Sequence, residues 1–222
     1  MTMPTHTNTD ADLGDVCAAI ERYYTSMITK FGPTPRGVDW TCRPTQELRF
    51  VQLLKLCSFS SAFSLNDVGC GYGALIAYVA RRHADASINY LGIDLSPAMV
   101  RSARRLWRGR SDAKFVAANA IPRSADYSIA SGIFNVKLDQ PLPRWESFIA
   151  MTLAGMRATG RRGFAANFMA PLPHGARAQA ELYRTPPEPW IRYCERTLGS
   201  SVELLADYGL REFTLLVRPQ FS

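Results

Sequence analysis

Three glycines stand at alternate positions in "DVGCGYG", residues 67 to 73, between an apolar run and a helical pattern that begins near Ala74. Gly69, Gly71 and Gly73 have no side chains to bury, so their spacing implies that something approaches this backbone closely. A strand that ends in a glycine turn and feeds a helix N-terminus makes a niche of nucleotide size. Two readings of its ligand follow from the residues. Gly69, Gly71 and Ala74 match the G-x-G-x-x-A dinucleotide fingerprint, and Asp94 ends the next strand, where it can hold a ribose. Asp67 points to another ligand. A carboxylate two residues before the first glycine would repel a pyrophosphate, and it suits a ligand that carries an ammonium group. Purely structural roles remain open: Asp67 bonding turn amides, and Asp94 capping the helix near Pro97, where Ser96 already offers a cap.

These residues need a framework. Short apolar strands ("SLNDVG", "NYLGIDL", "AKFVAANA", "DYSIASGIF", "GFAANFMA") alternate with amphipathic helices ("GALIAYVARRHA", "SPAMVRSARRLWR", "PRWESFIAMTLAGMRA"). Such alternation predicts a parallel sheet covered on both faces. Two helices precede it, over about residues 15 to 31 and from Thr45, the latter with Thr45 as its expected cap. After it, "PPEPWIRYCERTLG" reads as a helix. "SVELLADYGLREFTLLVRP" reads as two strands joined at Tyr208-Gly209, which must therefore be antiparallel. The loop "PLPHGARAQAELYRTPPEP" is long enough to suggest a functional surface.

The 222 residues suit one domain with a full core, and 47% hydrophobic with 20% charged residues is the composition of an ordinary globule. No apolar run approaches a membrane span, and the polar start "MTMPTHTNTDADLGDV" is no secretory leader. Five scattered cysteines without a CxxC pair indicate neither a zinc site nor a disulfide framework, so a cytoplasmic location is expected. The formal charge of +7 is carried mostly by arginine. Arg101, Arg104, Arg105 and Arg108 share one face of a helix and read as solvated rather than as a polyanion site.

Over roughly residues 45 to 222 the chain resembles the class I S-adenosylmethionine-dependent methyltransferases. "DVGCGYG" is similar to the family's first motif, and "GIDLS" to its second. "FVAANAI" matches the adenine-contacting position, with Asn119 where an acid is frequent, and "SIASGIF" matches the strand end that lines the methionine moiety. The resemblance implies an α/β, Rossmann-like, seven-stranded, mostly parallel sheet with an antiparallel C-terminal hairpin and an N-terminal helical cap. It implies S-adenosyl-L-methionine as cofactor, leaving as S-adenosyl-L-homocysteine. The cofactor-binding residues it implies are Asp67, Gly69, Cys70, Gly71, Gly73, Asp94, Leu95, Asn119, Ala120, Ser131 and Gly132. Residues 1 to 14 are expected to be a flexible tail, 15 to 44 a cap or lid, and 45 to 222 the core of a single domain.

Departures from the family's specialised motifs narrow the acceptor. The fourth strand ends "SGIFN", without the Asn/Asp-Pro-Pro-aromatic stretch of base amine methylation and without the Pro-Cys of cytosine C5 chemistry. No metal is expected, since only Asn167 stands near the place of the metal-dependent type's acidic ligands. The expectation is a small-molecule acceptor methylated on oxygen or nitrogen by direct in-line transfer, in specialised metabolism. Nucleic acid and membrane are not expected partners. An RNA or protein methyltransferase, or a non-catalytic binding protein, is the alternative. Asp39 and His174 are the candidates for proton removal, and Tyr24 and Trp40 for acceptor contact. Arg49 is expected to face solvent, or else to reach the cofactor carboxylate.

Overall fold

The structure is a computed structural model, and it describes residues 10–220. Helix α1 spans Asp10–Phe31, and a short 3-10 turn at Pro35–Val38 leads to α2, Arg43–Leu54. The alternating part follows as β1 (Phe63–Val68), α3 (Ala74–Arg82), β2 (Ile88–Asp94), α4 (Pro97–Leu106) and β3 (Ala113–Ala117). It continues with β4 (Ala125–Ala130), α5 (Leu142–Thr159), β5 (Gly160–Met169), α6 (Glu188–Arg196), β6 (Ser200–Leu205) and β7 (Glu212–Pro219).

The seven strands form one sheet in the order β3-β2-β1-β4-β5-β7-β6. The first five are parallel, and β7 runs antiparallel between β5 and β6. This is the predicted Rossmann-like arrangement with its closing hairpin. Strands inside it are apolar on both faces because helices cover both. The period of two is visible in β5. Ala165 joins a cluster with Leu53, Ile76 and Tyr90, whereas Phe164, Ala166 and Phe168 join another with Trp145 and Trp190. Phe168 is fully buried and stacks on Phe134, Trp190 and Phe213 with centroids 5.0, 5.8 and 5.3 Å away. Burying a ring of this kind contributes about 1.5–3 kcal/mol.

Two helix starts differ from the sequence reading. α1 begins at Asp10, so residues 10 to 14 are helical rather than tail, while residues 1 to 9 lie outside the described residues. Leu13 explains the difference, since it extends the stripe of Val16 and Ile20 onto the second cluster. α2 begins at Arg43, with Pro44 in its first turn and Thr45 already helical. The Thr45 hydroxyl donates to the Cys42 carbonyl at 3.0 Å instead of capping. α1 packs against α4 and α5, and its Thr25 hydroxyl pairs with the Ser96 hydroxyl at 2.7 Å. All five cysteines are free. Among the described residues no helix is long and apolar enough to cross a membrane.

Candidate active site

Parallel strands present their C-terminal ends on one edge of the sheet, and the glycine turn after β1 lies there. Gly69, Gly71 and Gly73 all have positive φ, at 73°, 55° and 85°. A Cβ would not fit at any of them, but what crowds that side is protein. It would come within 2.2 Å of Ile133 Cγ2 at Gly69, 2.8 Å of Val38 Cγ1 at Gly71 and 2.5 Å of Trp107 Nε1 at Gly73. The turn's amides are largely spent inside the chain. Gly69 and Cys70 donate to the Ile93 carbonyl, Gly71 to Asp94 Oδ2, and Gly73 to the Cys70 carbonyl. That arrangement does not make a phosphate cradle, which depends on free N–H groups.

A cavity of about 330 Å³ opens beside the turn. The ends of β1, β2 and β4 supply Asp67, Asp94, Ser131 and Gly132 to its wall. Leu95, Cys70 and the exposed Asn119 and Ala120 line it as well, so the structure brings together the cofactor residues expected from the sequence, Gly73 excepted: Gly73 is the N-cap of α3 and does not itself reach the wall. Ile20 and Tyr24 from α1, Val38 from the 3-10 turn, and Trp40 after it form further wall.

Two carboxylates face this space. Asp94 Oδ1 accepts from the Ser96 N–H and Oδ2 from the Gly71 N–H, both at 2.8 Å. Burial pushes its pKa up to about 6, against the pull of those two bonds. Asp67 is 2% exposed and accepts from the buried Tyr90 hydroxyl. Burial raises it to about 7, the Tyr90 bond opposes this, and Asp94 nearby adds to it. Among the described residues neither acid forms an ion pair. The Ser131 hydroxyl oxygen is buried in the wall with no hydrogen-bond partner. Cys70 is buried and its thiol is pushed far up by burial, so it is a space-filling group rather than a nucleophile.

The proposed proton acceptors lie elsewhere. His174 is exposed on the loop after β5 and does not line the cavity. Asp39 is also exposed, in the left-handed region at φ 61°, and its Oδ2 accepts from the Tyr23 hydroxyl at 2.9 Å. Its charge is nonetheless felt in the wall. The Tyr24 phenol is raised chiefly by burial and next by Asp39.

Sequence reasoning missed part of the site. Gln46, Phe50, Ile133 and Phe148 line the cavity, and Trp107 fixes the turn by donating from Nε1 to the Tyr72 carbonyl at 3.2 Å. Arg49 neither faces solvent nor lines the cavity. It is 6% exposed and paired with Glu212. The signal for that pair was a single acid heading the apolar run "EFTLLV" and a single base inside "LRFVQLL", each ambiguous alone.

Comparison with known proteins identifies this geometry. A methyltransferase domain profile matches residues 66–144. A Mycobacterium tuberculosis protein that carries the provisional name of a methyltransferase is 43% identical over 165 residues, which is 74% of this chain and 98% of that protein. The chain belongs to the class I S-adenosylmethionine-dependent methyltransferase family. Solved structures of low identity share the methyltransferase fold. Magnesium protoporphyrin IX methyltransferase from Synechocystis PCC 6803, solved with S-adenosylhomocysteine, superposes with a TM-score of 0.64 at 13% identity, over 94% of this chain and 100% of that one. A pyocyanin biosynthetic protein superposes with a TM-score of 0.60 at 15% identity, over 97% of this chain and 74% of that one.

Proposed function

We propose that this methyltransferase moves the methyl group of S-adenosylmethionine to an oxygen or nitrogen of a small-molecule acceptor by direct in-line transfer. The observation that carries the reading is the pair of carboxylates facing one cavity, Asp67 buried and Asp94 partly buried, with no cation paired to either among the described residues. Such a pair is costly to bury. A ligand with an ammonium group and a vicinal diol would offset that cost. The orphaned Ser131 hydroxyl adds an unused hydrogen-bonding group at the end of β4.

In this reading Asp94 keeps lone pairs for both ribose hydroxyls after accepting from Gly71 and Ser96, and Asp67 receives the ammonium. The Asn119 side-chain carbonyl and Ala120 hold the adenine, and Cys70 and Leu95 pack beside the ribose. Ser131 and Gly132 border the methionine end. When bound, the cofactor supplies an electrophilic methyl on a sulfonium. The chain's part is alignment and exclusion of water. Tyr24, Trp40, Ile133 and Phe148 give the wall an apolar, aromatic character suited to a ring-like acceptor. Asp39, held by Tyr23 outside the cavity wall, would take the proton of an acceptor that must lose one only if its segment closed over the acceptor. His174 would reach the acceptor only if its loop closed.

Residues 15 to 44 act as the lid over the acceptor, from the position of Tyr24 and Trp40 in the wall. The names of two fold neighbours, a magnesium protoporphyrin IX methyltransferase and a pyocyanin biosynthetic protein, add support for a small acceptor. The test is incubation of the purified protein with methyl-labelled S-adenosylmethionine and, separately, a panel of hydroxylated and aminated aromatic compounds, total RNA, and a protein lysate. Label in the small-molecule fraction supports the reading. Label in RNA or protein replaces it with the macromolecular alternative, and no label despite S-adenosylhomocysteine binding favours a non-catalytic role.

A further inference from the structure

A closed ring of contacts surrounds the end of β4. The Gly132 N–H donates to Asn167 Oδ1 at 2.7 Å, and Asn167 Nδ2 donates to Glu212 Oε2 at 2.9 Å. Arg49 Nε donates to the same Glu212 oxygen at 2.7 Å, and its Nη2 donates to the other. The remaining Arg49 nitrogen, Nη1, donates to the Thr45 carbonyl at 2.7 Å. The Arg49 guanidinium carbon lies 3.8 Å from the centroid of the Trp40 ring. Trp40 in turn covers Gly132, where a Cβ would lie 2.1 Å from Trp40 Cζ2. The three polar members are buried, Asn167 at 0% and Arg49 and Glu212 at 6% exposure.

We propose that Arg49, Glu212 and Asn167 are positioning residues for methyl transfer, holding the Gly132 amide and the Trp40 indole in fixed relation across the cavity. This rests on the cofactor reading given above. A buried ion pair is a poor source of stability, and packed apolar side chains would hold α2 to β7 at least as well. What the charged ring adds is orientation. An asparagine amide can turn over, but a carboxylate only accepts, so Glu212 forces Nδ2 toward itself and Oδ1 toward the Gly132 N–H. Gly132 has φ 74°, and the bond holds it there. The bidentate pairing flattens the Arg49 guanidinium against Glu212 and leaves its face to the indole. Two walls of the cavity thus share one support, although none of the three positioning side chains lines it.

The test is fluorine NMR of protein labelled with 5-fluorotryptophan, with the Trp40 line assigned by Trp40→Phe, together with calorimetric titration of S-adenosylhomocysteine. Asn167→Asp sets a second carboxylate against Glu212. Combined with Glu212→Gln it relieves that repulsion and conserves the charge, but the glutamine NH₂ that then faces position 167 also meets Arg49 Nε donor to donor. Asn167→Asp should move the Trp40 line and weaken S-adenosylhomocysteine by about tenfold, the equivalent of one charged hydrogen bond. The double variant should return the affinity to within about threefold of wild type through the Gly132 bond, while its Trp40 line stays moved because the Arg49 fork has lost one of its two acceptors. Arg49→Lys, which keeps the charge and removes the flat fork, should also move the Trp40 line. A lower melting temperature with the Trp40 line and affinity unchanged would overturn the proposal, as would loss of folding in all three variants, because the ring would then serve the fold. Failure of the wild type to bind S-adenosylhomocysteine would count against the cofactor reading instead, and the Trp40 line would still judge the ring.

Discussion

Replacing Asp94 by asparagine is the most informative single change. The carboxylate is acceptor-only, and it already takes the Gly71 and Ser96 N–H groups at 2.8 Å each. An amide has one acceptor oxygen and one donor group. Its NH₂ must therefore face Gly71 or Ser96 donor to donor, and that bond is lost. The anionic acceptor for the ribose hydroxyls is lost with it. Hydrogen bonds to a charged group are worth about 1.5–3 kcal/mol, so S-adenosylhomocysteine affinity should fall by about ten- to hundredfold. Free-protein stability should move little at neutral pH, because the lost turn bond is offset by removal of a charge that is costly to bury, as its pKa of about 6 indicates. Calorimetry gives the affinity and thermal unfolding the stability. A folded variant that binds S-adenosylhomocysteine within twofold of wild type would refute the role given to Asp94.

Acid should weaken the cofactor. Asp94 at about 6 and Asp67 at about 7 lie above their ordinary values, so affinity should be full above about pH 8 and fall as pH drops through about 8 to 5, and titrations across that range that stay flat would contradict it. The same shifts mean that the free folded protein binds more protons than the unfolded chain between about pH 4 and 7, so these two groups make it less stable as pH rises through that window, readable by chemical denaturation at each pH. Gly71→Val should abolish binding through distortion of the turn, since the new side chain meets Val38 at φ 55°, and its measure is loss of S-adenosylhomocysteine binding in a protein that retains its circular dichroism. If residues 15 to 44 form a lid, their hydrogen exchange should slow when S-adenosylhomocysteine is added, whereas unchanged exchange marks a fixed layer.

The sheet was legible because each β-α unit carries its own periodicity, and the hairpin because "DYGL" cannot join parallel strands. The turn and the place of Asp94 at the end of β2 were legible because each sits in a short motif of its own. Less was readable where residues distant in the chain meet. The ring of Arg49, Asn167 and Glu212 joins positions 163 and 45 residues apart, and periodicity carries no information about such pairings. The glycines illustrate a subtler gap. Their need for positive φ was clear, but the atoms crowding them come from Val38, Trp107 and Ile133, which no local pattern links to the turn. Asp39 and His174 were chosen by chemical type, and type alone does not say which side chains face a cavity.

The central claim is that the cavity between Asp67, Asp94 and Trp40 receives S-adenosylmethionine and not a dinucleotide. Calorimetric titration of the wild-type protein at pH 8 with S-adenosylmethionine, S-adenosylhomocysteine and NAD tests it most directly. Saturable one-to-one binding of the first two and no heat from NAD are the expected results. Saturable binding of NAD, or no binding of either sulfur compound, would contradict it.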